Sequence, residues 1–358
     1  LALSACGKTH ASVSSFNNHW GVPVTLARMR KDTEFGVFEI GMNHPGEITP
    51  LTGMVKPHLA IVTQIAESHL GHFKSLDEIA DAKAEIFSGM DADGIAIINR
   101  DTPYFERLSE AARAQGIERI IGFGKHEEAD VRLGKLVPHS SCSCVTADVL
   151  GEEICFKLGM PGEHVVMNVL AVLAAVKLAG ADLARAALAL ADMKPASGRG
   201  VRYKLRTGDG WFTLIDESYN ANPASMRAAL DMLAQASVGK GGRRIAVLGD
   251  MLELGENARK LHEDLAETVQ TAGIDAVYTC GAEMKHLHEA LPDGVAQVHA
   301  DTSAELEGPV VAGLKAGDAV MVKGSLGSRM GPLVQAIRDE FRARKDNEHH
   351  DDAGEGAN

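Results

Sequence analysis

No run of about 18 apolar residues occurs in this sequence, so nothing in it reads as a membrane-spanning helix. A basic segment followed by an apolar core and a cleavage site is also missing at the start, and no export signal is expected. Cysteine is scarce and odd in number, with five in 358 residues. Cys142 and Cys144 form a C-x-C without a second pair, which is not the spacing of a structural zinc site. Free thiols in a reducing compartment are expected, and the expected location is the cytoplasm. Positive charge is in deficit, with 36 Lys and Arg against 49 Asp and Glu, a net charge of -13 and a pI near 5.6. Such a surface repels nucleic acid and anionic membranes, although local basic pockets for phosphate remain possible. There is no internal repeat, and the polar tail from Lys345 onward is expected to be disordered. A complete phosphate-binding glycine loop is absent as well. Gly7-Lys8-Thr9 looks like the end of one, but the glycine required five residues earlier is Ala2. Residues 1–5 read as helical and 10–18 as turn-like. The triplet therefore reads as a helix C-terminus with Lys8 near its negative end.

What is present is the rhythm of an α/β protein, long enough for two domains. Short, nearly all-apolar runs at 35–40, 58–65, 94–98 and 119–123 suit strands buried on both faces of a parallel sheet. A capping box, Ser75 with Glu78, opens a helix after the second run. Another helix is expected from about Gly162 to Leu178, stopped by Gly180. Between 131 and 158 the pattern alternates, which reads as an antiparallel excursion. Residues 193–200 (MKPASGRG) read as a hinge or linker. A second α/β block follows, with strands at 211–215, 244–248, 276–280 and 319–322 and helices at 224–235, 257–272 and 327–344.

Several residues are chemically out of place in a plain core. Glu39 ends an apolar run, where a carboxylate is costly without a cation or donor. It reads either as a metal ligand or as a cap of the next turn. His69 lies just past the following run, so two strand ends are expected to present Glu39 and His69 toward one edge, where open parallel sheets bind ligands. By itself His69 also reads as a packed loop histidine. Lys83 falls on the apolar stripe of its helix, four residues after Ile79 and three before Ile86. It is either a snorkelling lysine or one that is paired or chemically altered. Three polar loops then follow strands of the second block: 216–223 (DESYNANP), 249–255 and 323–325. An Asx-turn before a helix is the plain alternative for the first of these. Three polar loops on one carboxyl edge look like a site.

These stretches resemble the Mur ligases. The matching strings are 15–23 (SFNNHWGVP), 39–47 (EIGMNHPGE), 81–87 (DAKAEIF), 216–223, 248–255 (LGDMLELG) and 322–325 (VKGS). Within the family, the match is to ligases that add D-alanyl-D-alanine to UDP-N-acetylmuramoyl-tripeptide. The resemblance implies an ATP-dependent amide ligase of peptidoglycan precursor synthesis that works through an acyl phosphate. It also implies a central Mur ligase domain over 1–204, lacking its first strand and phosphate loop. A C-terminal Rossmann-like domain over 205–345 and the tail 346–358 complete the expectation.

By the family pattern, Glu39, His69 and Lys83 are Mg2+ ligands and catalytic residues, Lys83 as a carbamate. Asn168, Arg199, Asp216, Tyr219 and Asn220 meet the nucleotide. Asn17, Asn18, Asn222 and Lys323 lie on the substrate side. Two departures stand out. His164 is not followed by the family's frequent asparagine, and the acid usual two residues after Arg199 is replaced by Val201 and Arg202. The family also carries a UDP-binding domain and a glycine-rich phosphate loop ahead of the position of Leu1. The sequence is therefore expected to be a piece of a longer protein, inactive alone. A monomer without nucleic-acid partners is expected. The alternatives are another Mur ligase, a ligase like folylpolyglutamate synthase, or a non-catalytic remnant that binds peptide or nucleotide.

Overall fold

The computed structural model describes residues 1–13, 15–66, 73–139 and 142–351. These fall into two units, divided between Lys194 and Pro195, inside the Pro/Ser/Gly-rich stretch. A boundary at 204/205 would cut the first strand of the second unit.

The first unit begins with β1 (Thr9–Ala11), α1 (Gly21–Arg28) and β2 (Phe35–Val37). β1 and β2 pair in parallel as a two-stranded sheet. Then come α2 (Ile48–Val55), β3 (Leu59–Val62), α3 (Leu76–Ala84), β4 (Ile95–Asn99), α4 (Phe105–Ala114) and β5 (Arg119–Gly124). β6 (Val131–Pro138), β7 (Ser143–Val149) and β8 (Glu152–Leu158) form the expected antiparallel excursion. It is part of the main sheet, because β6 continues the parallel pairing from β5. The order is β3-β4-β5-β6-β7-β8. α5 (Glu163–Leu178) and α6 (Leu183–Ala189) close the unit. α5 is apolar nearly all round, with Val166, Leu170, Leu173 and Val176 fully buried, so it forms the centre of the core against Ile97, Phe123, Val131 and Val145. Each such side chain contributes roughly 1.5–3 kcal/mol on burial.

Three local expectations change. The run at 35–40 is a strand only to Val37, and Glu39 lies in the loop beyond it. Residues 10–18 are not all turn, since β1 occupies Thr9–Ala11, and the stretch before it is a single 3-10 turn, Leu3–Ala5. The helix carrying Lys83 ends at Ala84 and tightens into a 3-10 segment, Glu85–Gly89. Close packing explains this change of pitch: a Cβ on Gly89 would lie 2.4 Å from the backbone of Thr52 in α2.

The second unit contains β9 (Val201–Thr207), β10 (Gly210–Glu217), α7 (Pro223–Ala234), β11 (Arg244–Gly249), α8 (Ala258–Glu263), α9 (Leu265–Thr271), β12 (Ala276–Cys280), α10 (Met284–Ala290), β13 (Ala296–Ala300), α11 (Ser303–Gly313), β14 (Ala319–Lys323) and α12 (Met330–Asp351). Its sheet has the order β13-β12-β11-β14-β10-β9, parallel except at β9. Period-two alternation splits each central strand between two cores. Ala246, Leu248 and Met321 face Met226, Leu230 and Met284 on one side. Ile245, Val247, Val320 and Val322 face Leu306, Leu333 and Ile337 on the other. The helix expected over 257–272 is two helices. The last helix continues to Asp351, past the expected end near 344. The added residues are polar but include neither Gly nor Pro, so a helix can continue through them.

Candidate active site

In the first unit the site is a cluster of the loops after β1 and β2. Asn17 donates from Nδ2 to Glu39 Oε1 at 2.9 Å, and its carbonyl accepts from Gly41 N–H at 2.8 Å. This leaves the exposed carboxylate of Glu39 aimed by one neutral donor. Asn18 serves its own chain: its Oδ1 accepts from Trp20 and Gly21 N–H at the start of α1. The loop 42–47 is closed on itself by Glu47, which accepts from Asn43 N–H at 2.7 Å and from His44. Those donors, led by the Asn43 amide, hold its carboxyl below the usual range.

Sequence reasoning missed Glu85. Its carboxylate accepts from the N–H groups of Gly46 (2.6 Å), Ile48 (3.2 Å) and Thr49 (3.1 Å) and from the Thr49 hydroxyl. An anion is thus seated on the positive end of α2. It joins the 39–47 string to the 81–87 string. Its partners lie far back in the chain, so no local spacing announces it.

Lys83 sits on α3, two residues before the 3-10 segment that begins at Glu85, and is half-buried. Among the described residues it makes no hydrogen bond or ion pair, and burial lowers its pKa. The helix is started by Ser75, whose Oγ accepts from Glu78 N–H at 3.3 Å. Glu78 returns its carboxylate to Lys74 N–H, one residue earlier than an ideal capping box requires.

His69 lies outside the described residues. Among the described pairings, β2 and β3 belong to different sheets. No group of three metal-ligating side chains is assembled among the described residues. The donor chemistry nonetheless fits a hard divalent cation on one condition. Glu39 has a carboxylate oxygen not taken by Asn17, and the Lys83 amine becomes an oxygen donor only as a carbamate. Asn168 is exposed on α5.

The second unit assembles its cluster where expected. β11, β14 and β10 are neighbours, so the loops after them meet at one carboxyl edge. Asp216 is buried at the end of β10. Its Oδ1 accepts from Ser218 N–H and Oγ–H, and its Oδ2 from Gly198 N–H. A Cβ on Gly198, which sits at φ 75°, would lie 2.9 Å from Tyr219, whose N–H donates to the Gly198 carbonyl. Only glycine fits there. Arg199 stacks on the Tyr219 ring at 4.3 Å. Asn220 turns its Oδ1 to Ala221 N–H, and Asn222 caps α7 reciprocally with Ser225. The Asx-type turn left open by the sequence is therefore present. Ser325 ties all three loops: its N–H donates to the Asp250 carbonyl, and its Oγ accepts from Leu252 N–H and donates to the Ala221 carbonyl. Lys323 is buried, its Nζ donating to the Asn220 carbonyl at 2.8 Å and lying 3.6 Å from Glu217.

Two units, each an α/β sheet ending in a polar loop cluster, define the class. Residues 1–176 match the Mur ligase middle domain and 201–326 the Mur ligase glutamate ligase domain, and the chain belongs to the Mur ligase family. Within it, the UDP-N-acetylmuramoyl-tripeptide–D-alanyl-D-alanine ligase of Rickettsia prowazekii is 32% identical over 90% of this chain and 71% of its own length. A crystal structure of MurF from Acinetobacter baumannii superposes with a TM-score of 0.83 at 28% identity, covering 94% of this chain and 72% of that one. MurF from Thermotoga maritima in complex with ADP shares the fold, with a TM-score of 0.79 at 23% identity over 96% and 76% of the two chains.

Proposed function

We propose that this chain performs the chemistry of a ligase joining D-alanyl-D-alanine to UDP-N-acetylmuramoyl-tripeptide at the expense of ATP. An oxygen of the tripeptide's terminal carboxylate attacks the γ-phosphorus and ADP departs. The amine of the dipeptide then attacks the acyl carbon, the amine proton is released, and the C–O bond to phosphate breaks. The relatives' names specify these two substrates, and the T. maritima neighbour binds ADP. Mg2+, when bound, supplies the charge that neutralises the γ-phosphate and the developing oxyanion. Glu39, His69 and Lys83 are the residues assigned to it, with Asn17 orienting Glu39. Arg199, Tyr219, Asn220 and the Asp216 turn form the nucleotide side, with Asn168 assigned to the adenine. Asn18 and Asn222 shape their loops as caps.

The observation that carries the reading is Lys83. A half-buried ammonium without a counterion among the described residues is costly. Depression of its pKa keeps more of the amine in its free form. That amine attacks CO2, a C–N bond forms, a proton leaves, and the cation becomes an anionic oxygen donor. The test is 13C NMR of the protein equilibrated with 13C-bicarbonate. A carbamate signal absent from Lys83→Ala is expected, along with near-complete loss of ligase activity and partial rescue by a short carboxylic acid. A Lys83→Ala enzyme with undiminished turnover removes the carbamate.

A further inference from the structure

The resemblance puts Lys323 on the substrate side, but its ammonium is spent on the chain itself. Lys323 is 3% exposed. Its Nζ reaches the Asn220 carbonyl at 2.8 Å and the Glu217 carboxylate at 3.6 Å. Burial lowers its pKa, Glu217 opposes that shift, and the nearby Arg199 adds to it. The cation therefore lies among three of the groups around the Tyr219–Asn220 turn. The same turn is held from the other side by Ser325, whose hydroxyl donates to the Ala221 carbonyl. It is also held by the Gly198 loop, whose carbonyl takes the Tyr219 N–H. Ala221 is packed in the core, but the Asn220 side chain before it is exposed; hydrogen bonds from Lys323 and Ser325 on one strand-end loop hold the carbonyls of Asn220 and Ala221.

We propose that Lys323 is a positioning residue: held on Glu217, it fixes the Asn220 carbonyl so that Tyr219 and Asn220 are preset for the nucleotide, and it does not touch the peptide substrates. This rests on the reading of the turn as the nucleotide side. Lys323→Met keeps the length of the stem and removes the charge. In steady-state assays it should raise KM for ATP roughly tenfold or more, as slight misplacement of binding groups does. KM for the dipeptide and for the UDP-linked tripeptide should stay near wild type, and kcat should change little. Hydrogen exchange should quicken at the amides of Tyr219, Ala221 and Asn222. Glu217→Gln, which weakens the seat of the ammonium without emptying the site, should shift ATP KM and exchange in the same direction by less. It carries the test if Lys323→Met does not fold. A rise in KM for either peptide substrate with ATP unaffected would mean direct contact and overturn the proposal. Unchanged exchange and unchanged ATP KM would overturn it too. If the wild-type protein shows no such ligase activity, the functional reading fails, while the exchange comparison still decides whether Lys323 clamps the turn.

Discussion

His262 shows how much a single side chain can conceal from the sequence. It is fully buried; its Nδ1–H donates to the Ala258 carbonyl and its Nε2 accepts from Met251 N–H, which requires the neutral ring. Burial pushes its pKa below the ordinary 6.5. The unfolded chain takes up a proton near that value while the folded chain refuses it. Stability is therefore full above 6.5 and falls as the pH drops from there toward the lowered folded value. Urea midpoints measured at pH 8 and pH 5.5 should show this loss in the wild type. His262→Leu should be weaker at pH 8 by about 1–3 kcal/mol, because Met251 N–H loses its acceptor, and should lose less on acidification. Equal acid sensitivity in the two proteins would exclude His262 as a source. Reading the sequence found the polar loop 249–255 but not the histidine beneath it. The signal that betrays Lys83, a charge on an apolar stripe, has no counterpart for a histidine whose partners are backbone groups. Asp216 and Asn222 were visible as polar residues at a strand end, but their backbone partners in turn and cap were not.

Elements were legible where one physical rule dominated. β12 spans the expected 276–280, because a short, mostly apolar run between Asp275 and Gly281 leaves little alternative. α5 begins and ends where Gly162 and Gly180 bracket an apolar stretch. Errors came where tertiary contact overrode local pattern. The 35–40 run stops at Val37 because its partner β1 is only three residues long, and α3 changes pitch where Gly89 meets α2. The junction of α2 with the segment after α3 is where Glu85 acts. Glu85→Ala strips an anion from the Gly46 N–H and the first two N–H groups of α2 and should cost about 1–3 kcal/mol, read as a lower urea midpoint with unchanged far-UV dichroism. Faster exchange at the Gly46, Ile48 and Thr49 amides should accompany it. An unshifted midpoint with unchanged exchange would show that Glu85 does not hold α2.

For the whole molecule, the α/β class and the two-part division followed from alternating strands and helices and from one Pro/Ser/Gly-rich stretch. The order β11-β14-β10 did not, because pairing between distant strands leaves no local trace. Yet that order is what brings the loops after the three strands together, and with them Lys323, Ser325, Asp250 and the Tyr219 turn. The activity proposed here turns on one chemical event, transfer of a carboxylate oxygen to phosphorus. The direct test uses tripeptide substrate labelled with 18O in its terminal carboxylate, ATP, D-alanyl-D-alanine and the native protein that carries this sequence. Released phosphate should contain one 18O from the peptide, and labelled phosphate should accumulate only when the dipeptide is present. Phosphate released without label under those conditions would contradict the acyl phosphate, and with it the assignment of this chain to that reaction.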